Sequence, residues 1–310
     1  WTFQSGDEIL GLELEGSEDN LPGNVYREEF DYFLTQLAAQ SGTRVIDSTK
    51  VIKILIPEDK EEKCSVITQK GREECEIILG ADGVRSIVRK YLGIPYPKTK
   101  WAVAMEAEVP VDERAIDSYS EKNFMSFNYV QVGYAWVFPK RKGKTVNVGL
   151  GVLAEEAKRM KKGLLDVWKT LLQNQEWYTN QSVSRHVEMM PYIGTVDRLG
   201  CERVLLLGDA AGLVDPVGGE GVPYAIKSGI DAAEATRLQL EGKAPLLHAY
   251  DDLMEDMLDE INVYAMKLHN YFFVKNRIKT VLRLTKKNED LRNLILEMSR
   301  GLISYEQTVG

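Results

Sequence analysis

The chain has 310 residues, 44% of them hydrophobic, which is enough for a large core and long for one compact domain. Its 39 basic side chains stand against 47 acidic ones, and the net charge of -8 excludes a general attraction to nucleic-acid phosphate, so no nucleic-acid partner is expected. Cys64, Cys75 and Cys201 show no C-x-x-C spacing and no accompanying histidine cluster, so neither a disulfide framework nor any metal is expected.

A reducing cytoplasm is the simplest compartment. The longest apolar runs fall far below the roughly 20 residues that cross a bilayer, and no signal peptide is visible. Trp1 has no methionine before it, and strand patterns at residues 1–3 and 9–14 begin abruptly, as in a fragment.

Phe30, Phe33, Leu34, Leu37 and Ala38 repeat at helical spacing, and Gly42 follows as a stop, which predicts a helix over 27–40. Short β-branched runs at 44–46, 50–56, 64–68 and 74–79, separated by polar turns, predict a small sheet built partly of hairpins. A Gly-Ala-Asp-Gly turn at 80–83 leads into a short helix at 86–92, and Pro95 and Pro97 mark a linker. Strand patterns at 101–109, 123–130, 134–138 and 146–152 predict a second, antiparallel sheet. A helical stretch at 155–173 and a strand at 183–189 follow, then a wholly apolar strand at 203–207 of the kind buried in a parallel sheet. From about Gly221 onward the pattern is helical.

The most specific feature is Val204-Leu-Leu-Leu-Gly-Asp-Ala-Ala-Gly-Leu-Val-Asp-Pro-Val-Gly-Gly-Glu-Gly-Val222, running from strand to loop to helix. A buried strand delivers Asp209 to its carboxyl end, where open α/β sheets bind ligands and a carboxylate can accept hydrogen bonds from sugar or ribityl hydroxyls. Gly218, Gly219 and Gly221 remove side chains at the next helix start, so that backbone N–H groups can face a ligand. The plainer reading makes Gly-Asp-Ala-Ala an ordinary strand-to-helix turn. The second feature is Gly80-Ala-Asp-Gly-Val-Arg-Ser-Ile-Val-Arg89, where Asp82 and Gly83 form a tight turn and Arg85 and Arg89 project from the helix after it.

Together these segments resemble the second and third FAD fingerprints of the flavoprotein superfamily that includes the aromatic hydroxylases and the geranylgeranyl reductases. Gly212, where many hydroxylases have histidine, and Asp-Pro-x-x-Gly-Glu-Gly at 215–221 look like the reductase version. Gly133-Tyr-Ala-Trp-Val-Phe-Pro-Lys140, followed by Val148-Gly-Leu-Gly151, is similar to a hallmark of geranylgeranyl reductases. The resemblance implies FAD as cofactor, with the pyrophosphate near Asp82, Gly83 and Arg85. It implies that Gly208, Asp209 and Ala210 hold the ribityl chain, and that Pro216, Gly218, Gly219, Glu220, Gly221 and Val222 lie by the ring. There the positive end of the helix dipole, roughly half a charge, favours the negative charge of a reduced flavin.

Arg27 matches the family's arginine at the head of the helix that returns to the FAD domain, although a solvated arginine reads equally well. Period-2 alternation puts Tyr134, Trp136 and Phe138 on one strand face. With Gly149 and Gly151 they form a substrate wall for an isoprenoid chain or the flavin face, or else part of the core of the second sheet. No Gly-x-Gly-x-x-Gly follows a strand, and the resemblance places that loop in about 80 residues upstream, counted from a βαβ unit of ~30 residues plus its continuation.

The expected fold class is α/β with an α+β substrate part: a Rossmann-like FAD-binding domain lacking its N-terminal βαβ unit, interleaved with an antiparallel-sheet substrate domain. Substrate-side strands occupy 1–26, part of the FAD-binding domain 27–95, the substrate domain 96–196, the Gly-Asp segment and its helix 197–242, and a helical C-terminal region 243–310. The implied activity is reduction of carbon–carbon double bonds in a geranylgeranyl or isoprenoid lipid by hydride from reduced FAD. An external donor, reduced nicotinamide or a ferredoxin-like protein, recharges the flavin.

The alternatives are an FAD monooxygenase hydroxylating an aromatic ring and a non-catalytic lipid-binding or electron-transfer fragment. The catalytic residues stay unassigned, with Glu220, Tyr134 and ordered water all open as proton donor. His186, His248 and His269 form no nucleophile or metal constellation. Between Tyr271 and Lys287 six cations are interleaved with apolar residues and no acid intervenes, a pattern suited either to a helix lying on the inner face of a membrane or to an ordinary surface helix.

Overall fold

A computed structural model describes residues 1–12, 24–59, 61–95, 100–118, 122–299 and 301–309. The end of the second predicted strand, residues 13–14, and Pro97 of the predicted linker lie outside the described residues. In chain order the first elements are β1 (Thr2–Ser5), β2 (Glu8–Gly11), α1 (Arg27–Gln40), β3 (Val51–Leu55), β4 (Cys64–Thr68), β5 (Gly71–Cys75), β6 (Ile78–Gly80) and α2 (Ile87–Tyr91). Then come β7 (Lys100–Pro110), α3 (Glu113–Ser118), β8 (Phe124–Ser126), β9 (Gly133–Lys140), β10 (Thr145–Leu153), α4 (Ala154–Arg159), α5 (Leu164–Gln173) and β11 (His186–Ile193). Last are β12 (Gly200–Cys201), β13 (Val204–Leu206), α6 (Val222–Leu240), α7 (Leu246–Asp259), α8 (Met266–His269), α9 (Ile278–Thr285), α10 (Glu289–Ser299) and α11 (Tyr305–Val309).

The chain divides into two compact units. Trp1–Thr43, Ala102–Met189 and Leu268–Gly310 form the first, and Arg44–Trp101 with Met190–Lys267 the second. The division drawn from sequence runs 27–95 as one piece, whereas α1 groups with the first unit.

A seven-stranded sheet, in the order β11-β7-β10-β9-β8-β1-β2, organises the first unit. It is antiparallel along β7, β10, β9 and β8, as the pattern predicts, but β1 runs parallel to β8. Alternation along β9 gives the sheet two unlike faces. Ala135 and Val137 are fully buried and join Val146, Val148 and Leu150 against Trp168, Leu171 and Leu172 of α5. The Trp168 indole also donates to the Val148 carbonyl at 3.1 Å. On the other face Tyr134, Trp136 and Phe138 stay half-buried.

The predicted helix over 27–40 is α1, with Glu28 and Glu29 in its first turn, where a helix favours negative charge. None of its residues is buried. The stretch at 155–173 is two helices, α4 and α5, because Lys161-Lys162-Gly163 interrupts the apolar repeat. The strand pattern at 123–130 yields only β8.

The second unit holds two three-stranded sheets, β3-β4-β5 and β12-β13-β6. The run at 74–79 divides between them: its start closes the β4–β5 hairpin, and after Glu76-Ile77 the chain enters β6. Residues 44–46 form no strand, and Val45 and Ile46 are exposed. The apolar run at 203–207 gives β13, wholly buried and parallel to β6, with Leu206 beside Gly80. Around β13 the core gathers Leu213, Ala232, Ala235, Leu246 and Tyr250. The C-terminal helical region contains two π-helical turns, Glu260–Ala265 and Asn270–Val274. Among the described residues no helix is long and apolar enough to cross a membrane.

Candidate functional site

The two fingerprint segments, more than a hundred residues apart in sequence, emerge side by side in the second unit. β6 ends at Gly80 and β13 at Leu206, paired in parallel register, so Asp82 and Asp209 both follow the carboxyl ends of neighbouring strands. Leu207 N–H donates to the Gly80 carbonyl at 3.1 Å and extends the pairing to the start of the Gly-Asp segment. Gly80 itself receives α2: a Cβ there would lie 2.8 Å from Val88.

Asp82 does more than turn the chain. Its Oδ2 accepts the Ile87 and Val88 N–H groups at 2.7 and 3.2 Å, and the Ser86 hydroxyl accepts from Arg89 N–H at 2.8 Å, so two side chains cap α2. Gly83 has φ +70°, a left-handed conformation that costs other residues energy. Arg85 is exposed beside it, while the buried Arg89 guanidinium donates to the Ile94 carbonyl at 3.1 Å.

Gly208–Ala210 is one 3-10 turn, with Gly208 at φ +52°. Ser228 of α6 accepts the Gly208 N–H at 3.1 Å, which ties the turn to the helix it precedes. The loop between them is closed by Asp215, which was not singled out as a site residue in the sequence. This buried carboxylate accepts Val217 N–H at 2.8 Å and Gly218 N–H at 2.6 Å, and the Asp215 backbone exchanges hydrogen bonds with Glu220 and Gly219. The Tyr192 hydroxyl donates to the Pro216 carbonyl at 2.7 Å and pins the loop from β11.

The glycines of this cradle leave room for its own carboxylates. A Cβ on Gly218 would meet Asp215 Oδ2 at 2.9 Å, a Cβ on Gly221 would meet Asp209 Oδ1 at 3.2 Å, and Gly219 has φ +72°. Gly221 is the N-cap of α6 and offers no side-chain acceptor, and Pro223 stands in the first turn, where a missing N–H costs nothing. The 19-residue α6 therefore points its uncapped positive end into this cradle beside Asp209. Glu220 keeps part of its side chain at the surface, but burial of its carboxyl, and then the Asp215 carboxylate, push its pKa above the ordinary value. Burial and the same carboxylate raise the Tyr224 phenol well above the ordinary tyrosine range.

The residues read as a substrate wall lie in the first unit. Cross-strand register brings Tyr134 opposite Gly151, Trp136 opposite Gly149 and Phe138 opposite Asn147, all on the half-buried face. Trp1, Phe3 and Phe127 extend this face, with ring centroids 5.6 Å apart for Trp1 and Phe138 and 6.1 Å for Phe127 and Tyr134. Gly149 has a definite role: a Cβ there would lie 2.2 Å from Trp136, so its absence lets the indole lie flat on β10.

The indole is also held by a polar chain. Trp136 Nε1–H donates to Asn147 at 2.6 Å, and Asn147 donates to Glu108 at 3.0 Å. Glu108 accepts further from Thr145 at 2.9 Å and from the nearly buried Lys140 ammonium at 2.5 Å. Tyr26 completes the rim, its hydroxyl 2.6 Å from Thr145 and its ring 4.4 Å beneath Lys140. Glu108 and Asn147 had no motif to announce them; register alone puts them beside the aromatic row. A cleft of about 310 Å³ opens next to Tyr26 and Lys140, lined also by Asn24, Phe30 and Phe33.

Arg27 also belongs to the first unit. Its guanidinium pairs with Asp31 at 3.0 Å, and both side chains are more than half exposed. Among the described residues no group of His, Cys, Asp or Glu could hold a metal.

The profile of the FAD binding domain family matches residues 7–257. A digeranylgeranylglycerophospholipid reductase from Methanococcus vannielii is 28% identical over 280 residues, covering 88% of this chain and 67% of that protein. A menaquinone reductase from Mycobacterium tuberculosis is 25% identical, with 90% of this chain and 69% of that one covered. Among solved structures, a geranylgeranyl bacteriochlorophyll reductase-like protein from Thermoplasma acidophilum superposes with a TM-score of 0.75 at 19% identity, covering 91% of this chain and 73% of that one.

Fold and relatives together define an FAD-dependent oxidoreductase. The chain belongs to the FAD binding domain family, and within it resembles the geranylgeranyl reductases. The site suits the cofactor in its chemistry: the start of α6 carries N–H groups that no side chain caps, where negative charge is favoured, and the Asp209 carboxylate beside Gly221 is an acceptor for hydroxyl groups.

Proposed function

We propose that the protein is a reductase of an isoprenoid lipid, saturating carbon–carbon double bonds in a geranylgeranyl-type chain. The observation that carries this reading is the half-buried aromatic face built on Tyr134, Trp136 and Phe138. A hydrocarbon laid along it needs no hydrogen-bond partner and gains about 25 cal/mol for each Å² of apolar surface withdrawn from water. Bound FAD, recharged by an external reduced nicotinamide or ferredoxin-like donor, supplies the hydride.

The residues of the chain do the rest. In this reading Asp209 accepts hydrogen bonds from the ribityl hydroxyls, Asp82, Gly83 and Arg85 lie by the pyrophosphate, and the uncapped end of α6 favours negative charge at the ring. Gly149 and the chain Asn147–Glu108–Lys140 hold Trp136 flat, keeping the wall smooth for a methyl-branched chain. Glu220, whose neutral form is favoured by burial, is suited to hold a proton near the ring.

A second substrate reading has its own support: the relative named menaquinone reductase points to a quinone, and an isoprenoid tail would use the same wall. Mass spectrometry of products from the full-length protein with reduced flavin and a geranylgeranyl lipid tests the proposal. It predicts a gain of one hydrogen pair per reduced bond. A gain of oxygen would make the enzyme a hydroxylase and overturn it.

A further inference from the structure

The basic segment before the C-terminus does not use its apolar stripe on a surface. Ile278, Leu282 and Thr285 of α9 are buried, and the helix packs on β1 and β2. Two of its six cations are engaged on the same side. Lys279 pairs with Asp7, and Lys286 pairs with Glu8 at 2.7 Å, fastening the helix to the β1–β2 hairpin.

What remains outward is different. At 3.6 residues per turn Arg283 and Leu284 project away from the buried stripe of α9; Lys287 follows in the turn after the helix, Arg277 is its N-cap, Val274 ends the π-helical turn before it and Lys275 comes next. All six residues are exposed, Val274 by 64% and Leu284 by 48%. The four cations make no ion pair among the described residues.

We propose that the outward side of residues 274–287 docks on an anionic phospholipid surface. The cations meet headgroup phosphates, and Val274 and Leu284 enter the interfacial layer while the basic stems snorkel. Charge complementarity selects this occupant. In a chain with a net charge of -8, four uncompensated cations interleaved with exposed aliphatic side chains match a surface that is anionic outside and apolar just beneath. A polyanion such as nucleic acid would offer nothing to Val274 and Leu284.

Flotation of the full-length protein with phosphatidylcholine vesicles, with and without phosphatidylglycerol, tests the proposal. The protein floats only with the anionic vesicles, and added salt releases it. The R283Q/K287Q variant binds about 25-fold more weakly, from about fivefold per charge near such a surface. A K161Q/K162Q variant, which loses two exposed cations elsewhere, binds like the parent. Circular dichroism and flavin content confirm that each variant is folded. Failure of the parent to float with anionic vesicles, equal flotation with neutral ones, or equal loss in both variants would overturn the proposal. None of these results depends on which substrate the enzyme reduces.

Discussion

Gly149 has no side chain because Trp136 occupies the space a Cβ would need, and this single contact predicts a measurable asymmetry between two glycines of one strand. In Gly149→Ala the new methyl would lie 2.2 Å from the indole, whereas in Gly151→Ala it would sit 3.7 Å away, at ordinary contact distance. The first substitution should cost about 1–3 kcal/mol in unfolding free energy, as overpacking does, and shift tryptophan emission, while the second should leave both nearly unchanged. Asp215 makes a comparable case in the glycine loop. Asp215→Ala strips the acceptor from two backbone N–H groups, should cost about 1–3 kcal/mol, and should release flavin more readily in a retention assay.

Glu220 adds a pH dependence whose sign is fixed. Its folded-state pKa is raised, so the folded protein holds this proton more tightly than the unfolded chain, and stability falls as pH rises from the ordinary carboxylate value through the raised one. Thermal unfolding of Glu220→Gln over that range should lose this slope. The sequence named Glu220 and Gly149 through a resemblance, but it could not show what crowds them. Asp215 stands in the sequence only as the first residue of the Asp-Pro-x-x-Gly-Glu-Gly motif, and nothing in that motif shows that its carboxylate is buried and holds two amides.

At the scale of elements, local signals succeeded where one segment decides its own conformation. The helix over 27–40 was legible from apolar spacing and Gly42, and the buried strand β13 from its unbroken apolar run. They failed where a partner decides. Residues 44–46 have β-branched composition but no neighbour to pair with among the described residues, and 74–79 belongs to two sheets. The π-helical turns at 260–265 and 270–274 were read simply as helix, since no residue type marks the change from i→i+4 to i→i+5 hydrogen bonding. Asp82 shows a second layer of meaning in a motif: a residue read for its place near a cofactor also caps α2. Asp82→Ala should therefore destabilise the protein by about 1 kcal/mol in a denaturant titration even without flavin.

For the whole molecule, the family was legible in two short motifs. The motifs at 80–89 and 204–222 carry the resemblance to the flavoprotein superfamily, and β6 and β13 bring them together as neighbours. Each unit, however, is assembled from separated stretches of chain, three for the first and two for the second, and contacts between distant segments leave no periodic trace. The aromatic face shows the same limit, because Trp1 meets Phe138 and Phe127 meets Tyr134 through strand order, not spacing.

The most direct test of an isoprenoid reductase is the visible spectrum of the purified full-length protein, reduced under anaerobic conditions and then mixed with a geranylgeranyl lipid. Bound flavin bands that bleach on reduction and return as the lipid is consumed are the predicted result. A reduced flavin that stays bleached with the lipid, yet reoxidises at once with oxygen and an aromatic substrate to give a hydroxylated product, would contradict it.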